Sequence, residues 1–291
     1  MKPACFTYHD PAAISDVLTL LAEHEESRLL AGGQSLMPMM NFRFVQPAHL
    51  IDLNRVEELG FIRADADTLV FGAMARQRQI QRDAHVQQAC PIMIDALSHV
   101  GHRQTRARGT IGGSISHFDP SAELCNMAAL HDAQFVLARK GSQRTLGFDQ
   151  FARGYLTTAI EPDEMLQEIR LQRWANPQGF AFEEFAMRDG DFAICAVSCL
   201  LTLTGGGGID SVAIAVSGVA PTPQRLRSFE AAARGQTPGH SLYREAALQA
   251  AAIEAMSDAY TTADYRSHLA RVLTYRAVEK AVARFKSQDM T

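Results

Sequence analysis

No two cysteines in this chain are spaced for a shared task. The five, Cys5, Cys90, Cys125, Cys195 and Cys199, form no C-x-x-C pair. An odd, scattered set excludes a disulfide framework and a zinc or iron–sulfur site carried by this chain alone, and leaves most of them as small buried hydrophobes. Charge of neither sign is in excess: 28 Lys and Arg stand against 32 Asp and Glu. That balance gives no reason to expect nucleic acid or an anionic membrane surface as partner. No apolar run approaches the roughly 18 residues that a bilayer span requires. The opening stretch "MKPACFTYHDP" has no apolar core of a signal peptide, so the expected location is cytoplasmic. His99, His102 and His117 have no companion pair at ligand spacing, and no metal site is expected from them. Internal repeats and low-complexity segments are absent too.

What the chain does have is core-forming material: 47% of its 291 residues are hydrophobic, enough for two domains. Asp10-Pro11 reads as a helix start, followed by Ile14, Val17, Leu18 and Leu21 at helical spacing. Arg28–Ala31 and His49–Val56 read as strands, and "FIRADADTLVFGA" as a hairpin turning at 65–67. Ala89–Val100 reads as a helix, and "AQFVLARKGSQRTLGF" as a second hairpin about Gly141. "WANPQG", from Trp174 to Gly179, reads as a linker. Beyond it, "FAICAVSCLLTLT" and "IDSVAIAVSGVA" flank the run Gly205 to Gly208, a strong hairpin signal because glycine tolerates positive φ. From Ser241 to about Phe285 the pattern is Ala-rich and helical, broken near Tyr260–Ala263.

Two glycine pairs interrupt these patterns. In "LLAGGQSLMP" a short apolar run stops at Ala31-Gly32-Gly33, and Gln34, Ser35 and Leu36 follow. Such a stretch is either a plain tight turn or a nest of bare backbone N–H groups able to hold a phosphate, with the Ser35 hydroxyl as a further donor. It has neither the G-x-G-x-x-G spacing of a Rossmann turn nor the lysine of a Walker loop. The second pair lies in "RGTIGGSISHFDPSAEL", as Thr110-Ile111-Gly112-Gly113-Ser114, with Asp119 and Glu123 downstream. Two donor-rich turns and a later carboxylate suit a dinucleotide, with turns on the pyrophosphate and the carboxylate on ribose hydroxyls. The three arginines of "HRQTRAR" fit either phosphate steering or an exposed loop or subunit contact. Met37, Met39 and Met40 read as packing residues.

Together and in this order, A-G-G-Q-S-L-M-P, T-I-G-G-S and D-P-S-A-E resemble the FAD-binding medium subunit of the molybdenum hydroxylases, the xanthine dehydrogenase and carbon monoxide dehydrogenase family. The resemblance runs along nearly the whole chain, including the start with Phe6, Tyr8, Pro11 and Asp16 to Leu21. It implies an α+β chain: a two-subdomain FAD-binding domain of the vanillyl-alcohol oxidase type over residues 1–176, divided near residue 57, then a C-terminal domain of antiparallel sheet plus helices over 177–291. It implies that Ala31, Gly32, Gly33, Gln34 and Ser35 serve the FAD pyrophosphate and that Leu36 packs near the flavin. Thr110, Ile111, Gly112, Gly113 and Ser114 would cradle the cofactor from the other subdomain. Glu123 would take the ribose contact, with Asp119 as a second acidic position. In "FAMRDGDFAI", Arg188, Asp191 and Phe192 match the stretch near the flavin, where Arg188 is a candidate cation. Many relatives carry a lysine slightly earlier, where this chain has Glu183 and Glu184.

By the same resemblance the chain has no substrate-handling catalytic residue and no metal. Its partners would be a molybdopterin-binding large subunit and a [2Fe–2S] small subunit, as a dimer of heterotrimers. Electrons would pass from the partner's clusters through FAD to an external acceptor. A self-sufficient flavin oxidase is the alternative, although chains of that type are usually longer and often tether FAD through His or Cys. A non-catalytic nucleotide-binding or assembly protein is a third reading.

Overall fold

The computed structural model describes residues 1–288; the last three residues of the expected C-terminal domain lie outside the described residues. The first unit contains β1 (Thr7–His9), α1 (Ile14–Glu23), β2 (Ser27–Leu30), α2 (Leu36–Asn41) and β3 (His49–Asp52). Its sheet has the order β1-β3-β2 and is parallel throughout, because α1 and α2 return the chain to the same edge between strands. Val17 and Leu21 on one stripe of α1 pack with Ile51 and Leu53. The helix begins at Ile14 with Ala13 as its cap, three residues after the expected Pro11. Asp10 instead pairs with Arg55 at 2.9 Å. The expected strand 49–56 stops at Asp52, where the Asp52 carboxylate accepts the Asn54 N–H at 2.8 Å and turns the chain.

The second unit continues with β4 (Ile62–Ala64), β5 (Thr68–Gly72), α3 (Gln77–Arg82), α4 (Ala84–Ala89), α5 (Pro91–His99), α6 (Arg103–Arg108), α7 (Ile111–His117) and α8 (Glu123–Leu130). Then come β6 (Gln134–Arg139), β7 (Ser142–Gly147), α9 (Phe148–Phe151), β8 (Ala152–Gly154), β9 (Thr157–Thr158) and β10 (Met165–Gln172). Five strands form the antiparallel sheet β4-β5-β10-β6-β7. Both expected hairpins are present, and Gly141 turns the second with φ +80°.

The third unit comprises β11 (Gly179–Ala186), β12 (Ala193–Leu203), β13 (Ile209–Ser217), β14 (Gln224–Arg225), α10 (Arg227–Ala233), α11 (His240–Ala251) and α12 (Ala263–Gln288). Its four strands are antiparallel in chain order. The sheet is covered on both faces. Ala196, Leu200, Ala213 and Ala215 join the core of the second unit, while Val197, Leu201, Ile214 and Val216 pack under α11 and α12. Two covered faces explain why β12 reads as a continuous apolar run rather than an alternation. The chain is therefore mixed α and β, with a small parallel sheet followed by two larger antiparallel ones.

Candidate functional site

The two glycine pairs, 80 positions apart in the chain, belong to motifs that meet in space. Ala31-Gly32-Gly33 leaves the C-terminal end of β2, and Gly33 adopts φ +72°, a conformation favoured by glycine. A Cβ on Gly32 would lie 2.3 Å from the Arg108 carbonyl oxygen and 2.8 Å from Gly109 Cα. A Cβ on Gly113 would lie 3.4 Å from the Ala31 methyl. The first motif thus rests on the second, and glycine is required at the contact. The backbone N–H groups of Gly33, Gln34 and Ser35 donate to no acceptor among the described residues. The Gln34 side-chain amide donates back to the Gly32 carbonyl at 3.0 Å, closing the turn on itself. Ser35 immediately precedes α2 and makes no capping bond, and Leu36 is the first residue of that helix.

The second motif differs from a turn. Thr110 caps α7, its hydroxyl accepting the Gly113 N–H at 3.0 Å, and Ile111 to Ser114 form the first turns of that helix. The N–H groups of Ile111, Gly112 and Ser114 donate to Ala75, Ala73 and Thr110 carbonyls at 2.9–3.2 Å. The amides of Ile111 to Ser114 are thus engaged within the chain, so this motif offers a bare surface and the Ser114 hydroxyl rather than a nest of free donors. Its glycines serve close packing: a Cβ on Gly112 would lie 2.5 Å from the Ala73 carbonyl oxygen.

A polar brace missed by sequence reasoning ties the two motifs together. The Asn54 amide donates to the Ala31 carbonyl at 3.1 Å. The Arg76 guanidinium donates to the Asn54 side-chain oxygen and to the Arg108 carbonyl. Neither residue lies in a glycine motif, and no local pattern marks them.

Glu123 is the first residue of α8 and 4% exposed. Burial, with Asp119 adding to it, pushes its carboxyl up to about 7 against the pull of Arg106 and its own N–H. Asp119 turns the chain into α8, its carboxylate accepting the Ser121 N–H at 2.9 Å. Arg188 and Asp191 are exposed on the β11–β12 loop, where the Asp191 N–H donates to the Arg188 carbonyl at 3.1 Å. Gly190 in that loop has φ +81° and sits over His102, whose Cε1 would be 2.9 Å from an added Cβ. His102 starts α6, and Gly109 ends it. The loop therefore lies one six-residue helix, about 9 Å, from the glycine contact. Of the two adjacent glutamates on β11, Glu183 pairs with Lys280 at 2.9 Å. Glu184 is buried 3.8 Å from His99. Burial, reinforced by Glu123 and Asp189, pushes the Glu184 carboxyl up to about 8, and burial lowers His99, so their surroundings disfavour the charged form of both.

Two family profiles match in tandem. Residues 4–174 match the FAD binding domain in molybdopterin dehydrogenase, and residues 180–281 the CO dehydrogenase flavoprotein C-terminal domain. The chain is 34% identical to caffeine dehydrogenase subunit beta of Pseudomonas sp. (strain CBB1), covering 100% of this chain and 99% of that one. It is 35% identical to the carbon monoxide dehydrogenase medium chain of Hydrogenophaga pseudoflava over 98% and 99%. Among solved structures, carbon monoxide dehydrogenase from Hydrogenophaga pseudoflava superposes with a TM-score of 0.93 at 36% identity, covering 98% of this chain and 99% of that one. Quinoline 2-oxidoreductase from Pseudomonas putida 86 does so with a TM-score of 0.92 at 32%, covering 97% and 99%. With two profiles spanning nearly its whole length and full-length relatives above 30% identity, the chain belongs to the FAD-binding medium subunits of the molybdenum hydroxylases of the carbon monoxide dehydrogenase and xanthine dehydrogenase type.

Proposed function

We propose that the chain is the electron-transfer subunit of a heteromeric molybdenum hydroxylase, receiving electrons from [2Fe–2S] clusters of a small subunit and delivering them to an external acceptor. The substrate would be bound by a molybdopterin-containing large subunit, and the assembly would be a dimer of heterotrimers in the cytoplasm. The observation that carries this reading is the glycine contact between two motifs, with unpartnered amides on one side and a buried carboxyl nearby. These residues fit FAD: the Gly33, Gln34 and Ser35 N–H groups and the Ser35 hydroxyl would be donors for a pyrophosphate, and glycine at 32 and 113 lets the two motifs pack against each other. The first two units would then be the halves of a vanillyl-alcohol oxidase-type domain over residues 1–176, with residues 177–291 covering it.

Roles follow for the remaining residues. Ser114 and Gly113 would flank the pyrophosphate from α7. Glu123 would accept from ribose hydroxyls at the adenosine end. Leu36 would pack near the isoalloxazine ring. Arg188 and Asp191, on the loop beyond α6, would serve the ring end, where a positive charge at Arg188 would favour the anionic reduced ring. FAD when bound supplies a centre that links one-electron carriers to two-electron acceptors. Met187 and Phe192, 75% and 58% exposed, flank Arg188 and Asp191 and offer an apolar edge on which a partner subunit can dock.

The purified chain should carry FAD and be bleached by dithionite, yet oxidise no heterocycle or aldehyde. Adding the molybdenum and iron–sulfur subunits should restore substrate-driven flavin reduction. Oxidation of an organic substrate by the isolated chain at about 1 s⁻¹ or faster would make it a self-sufficient oxidase instead.

A further inference from the structure

We infer that His9, His24 and His49 form a binding site for a divalent transition-metal ion of the zinc class, separate from the FAD cradle. The three residues are 15 and 25 positions apart, too far for any sequence pattern to group them. The first sheet brings them together. β1 and β3 are parallel with Thr7 opposite His49 and His9 opposite Ile51, so His9 and His49 are diagonal neighbours on one face. His24 follows α1 and stacks on His49, with ring centroids 3.9 Å apart and planes 7° from parallel. The His9 ring is 5.2 Å from that of His24 and 5.3 Å from that of His49.

One ring nitrogen from each residue lies within 4.8 Å of the other two. His9 Nε2 and His49 Nδ1 are already 3.0 Å apart, close to the separation of two ligands on one tetrahedral ion with metal–nitrogen bonds of about 2.0–2.1 Å. The His24 ring makes no hydrogen bond among the described residues. Converging on an ion turns the parallel His24 and His49 rings toward each other's edges and exchanges the His9–His49 hydrogen bond for two coordinate bonds. All three side chains are half-buried, so they are held by the fold yet open to solvent. His9 also lines a shallow groove of about 490 Å³ with Asp10 and Asp16, whose carboxylates attract a cation. Three imidazoles without a thiolate or a carboxylate in the set favour zinc, nickel or copper(II) over magnesium or calcium. Water completes the coordination.

His24 and His49 lie at the N-terminal ends of β2 and β3, whereas Ala31 to Ser35 follow the C-terminal end of β2. The four residues of that strand separate them by about 13 Å. A bound ion would join β1, the end of α1 and β3, adding to the sheet pairing and to the packing of α1 that already hold them. Its role is to hold the first unit together, and it touches neither the glycine motifs nor Glu123.

The test uses the full chain stripped with a chelator and titrated with zinc chloride by calorimetry, alongside its melting temperature and flavin content. His9→Gln and His24→Gln replace half-exposed rings and leave the buried core untouched. The expected result is one zinc ion per chain with a Kd on the order of 1 µM or tighter, and a rise in melting temperature on zinc addition. Both variants should bind at least tenfold more weakly and lose that rise while keeping their flavin. Absence of zinc binding in the parent chain, or unchanged binding in either variant, overturns the assignment.

Discussion

Glu123 and Glu184 are two buried carboxyls whose neighbourhoods oppose ionisation, and they make the chain's stability depend on pH. Their pKa values, about 7 and about 8, stand above the ordinary 4.5. Between those values and 4.5 the folded chain holds more protons than the unfolded one. Their contribution is therefore complete below about pH 4.5 and declines as pH rises through 7 to 8. Glu184→Gln keeps the shape and cannot ionise. It should match the parent near pH 5 and melt higher at pH 9 by roughly 2–6 °C, at about 2–4 °C per kcal/mol. Melting curves at pH 5, 7 and 9 check this; a difference independent of pH would remove Glu184 as the titrating group. The glycine pairs and Glu123 stood out in the sequence because their type is unusual where it occurs. Asn54 and Arg76 did not, since a single polar residue carries no periodic signal.

At the scale of elements, α7 shows how packing changed the meaning of a motif. T-I-G-G-S reads as a turn because glycine is a poor helix former. Ala73 to Gln77, leaving β5, accept and donate along residues 109–112, and Thr110 supplies the cap, so the segment winds into a helix. The brace from Ala31 through Asn54 and Arg76 to Arg108 then sets the spacing of the two motifs. Arg76→Met keeps the aliphatic stem and removes the guanidinium. We expect FAD affinity to fall by about 10- to 100-fold, corresponding to roughly 1–3 kcal/mol for the charged bonds lost. Far-UV circular dichroism should be unchanged. Flavin fluorescence titration measures it, and parent-like affinity would show that the motifs hold their spacing without the brace.

At the scale of the whole molecule, α8 joins the site to the third unit. Its Asn126, fully buried, donates to the Ala215 carbonyl at 3.2 Å and to the Ser217 hydroxyl at 2.9 Å, and accepts from the Ser198 hydroxyl. At the other end of the helix, Arg225 donates to the Ala129 and Leu130 carbonyls at 3.0 and 2.9 Å while paired with Glu230 at 2.8 Å. The helix that carries Glu123 is therefore held by strands from the far end of the chain. Asn126→Ala leaves the Ser198 and Ser217 hydroxyls only their long bonds to the Ala215 and Ala196 carbonyls, at 3.5 and 3.4 Å, and should cost about 1–3 kcal/mol. Urea unfolding should show the midpoint fall, with flavin released before the main transition. A variant with the parent's midpoint would mean that apolar packing alone docks the third unit.

Local chemistry in the sequence was enough to determine the hairpins at 65–67 and Gly141, the four-glycine turn at 205–208, the apolar β12 and β13 and the two glycine motifs, because each is set by neighbours within a few positions. Helix α1 was visible in its periodicity but not in its start, since Asp10 is drawn to Arg55 from a distant loop. Only the tertiary structure decided that Gly32 would rest on the Arg108 carbonyl, that Arg76 would brace two motifs, and that His9, His24 and His49 would share one face. Each of these depends on which strands pair and in what register, and long-range pairing is a property of the whole chain's burial rather than of any segment.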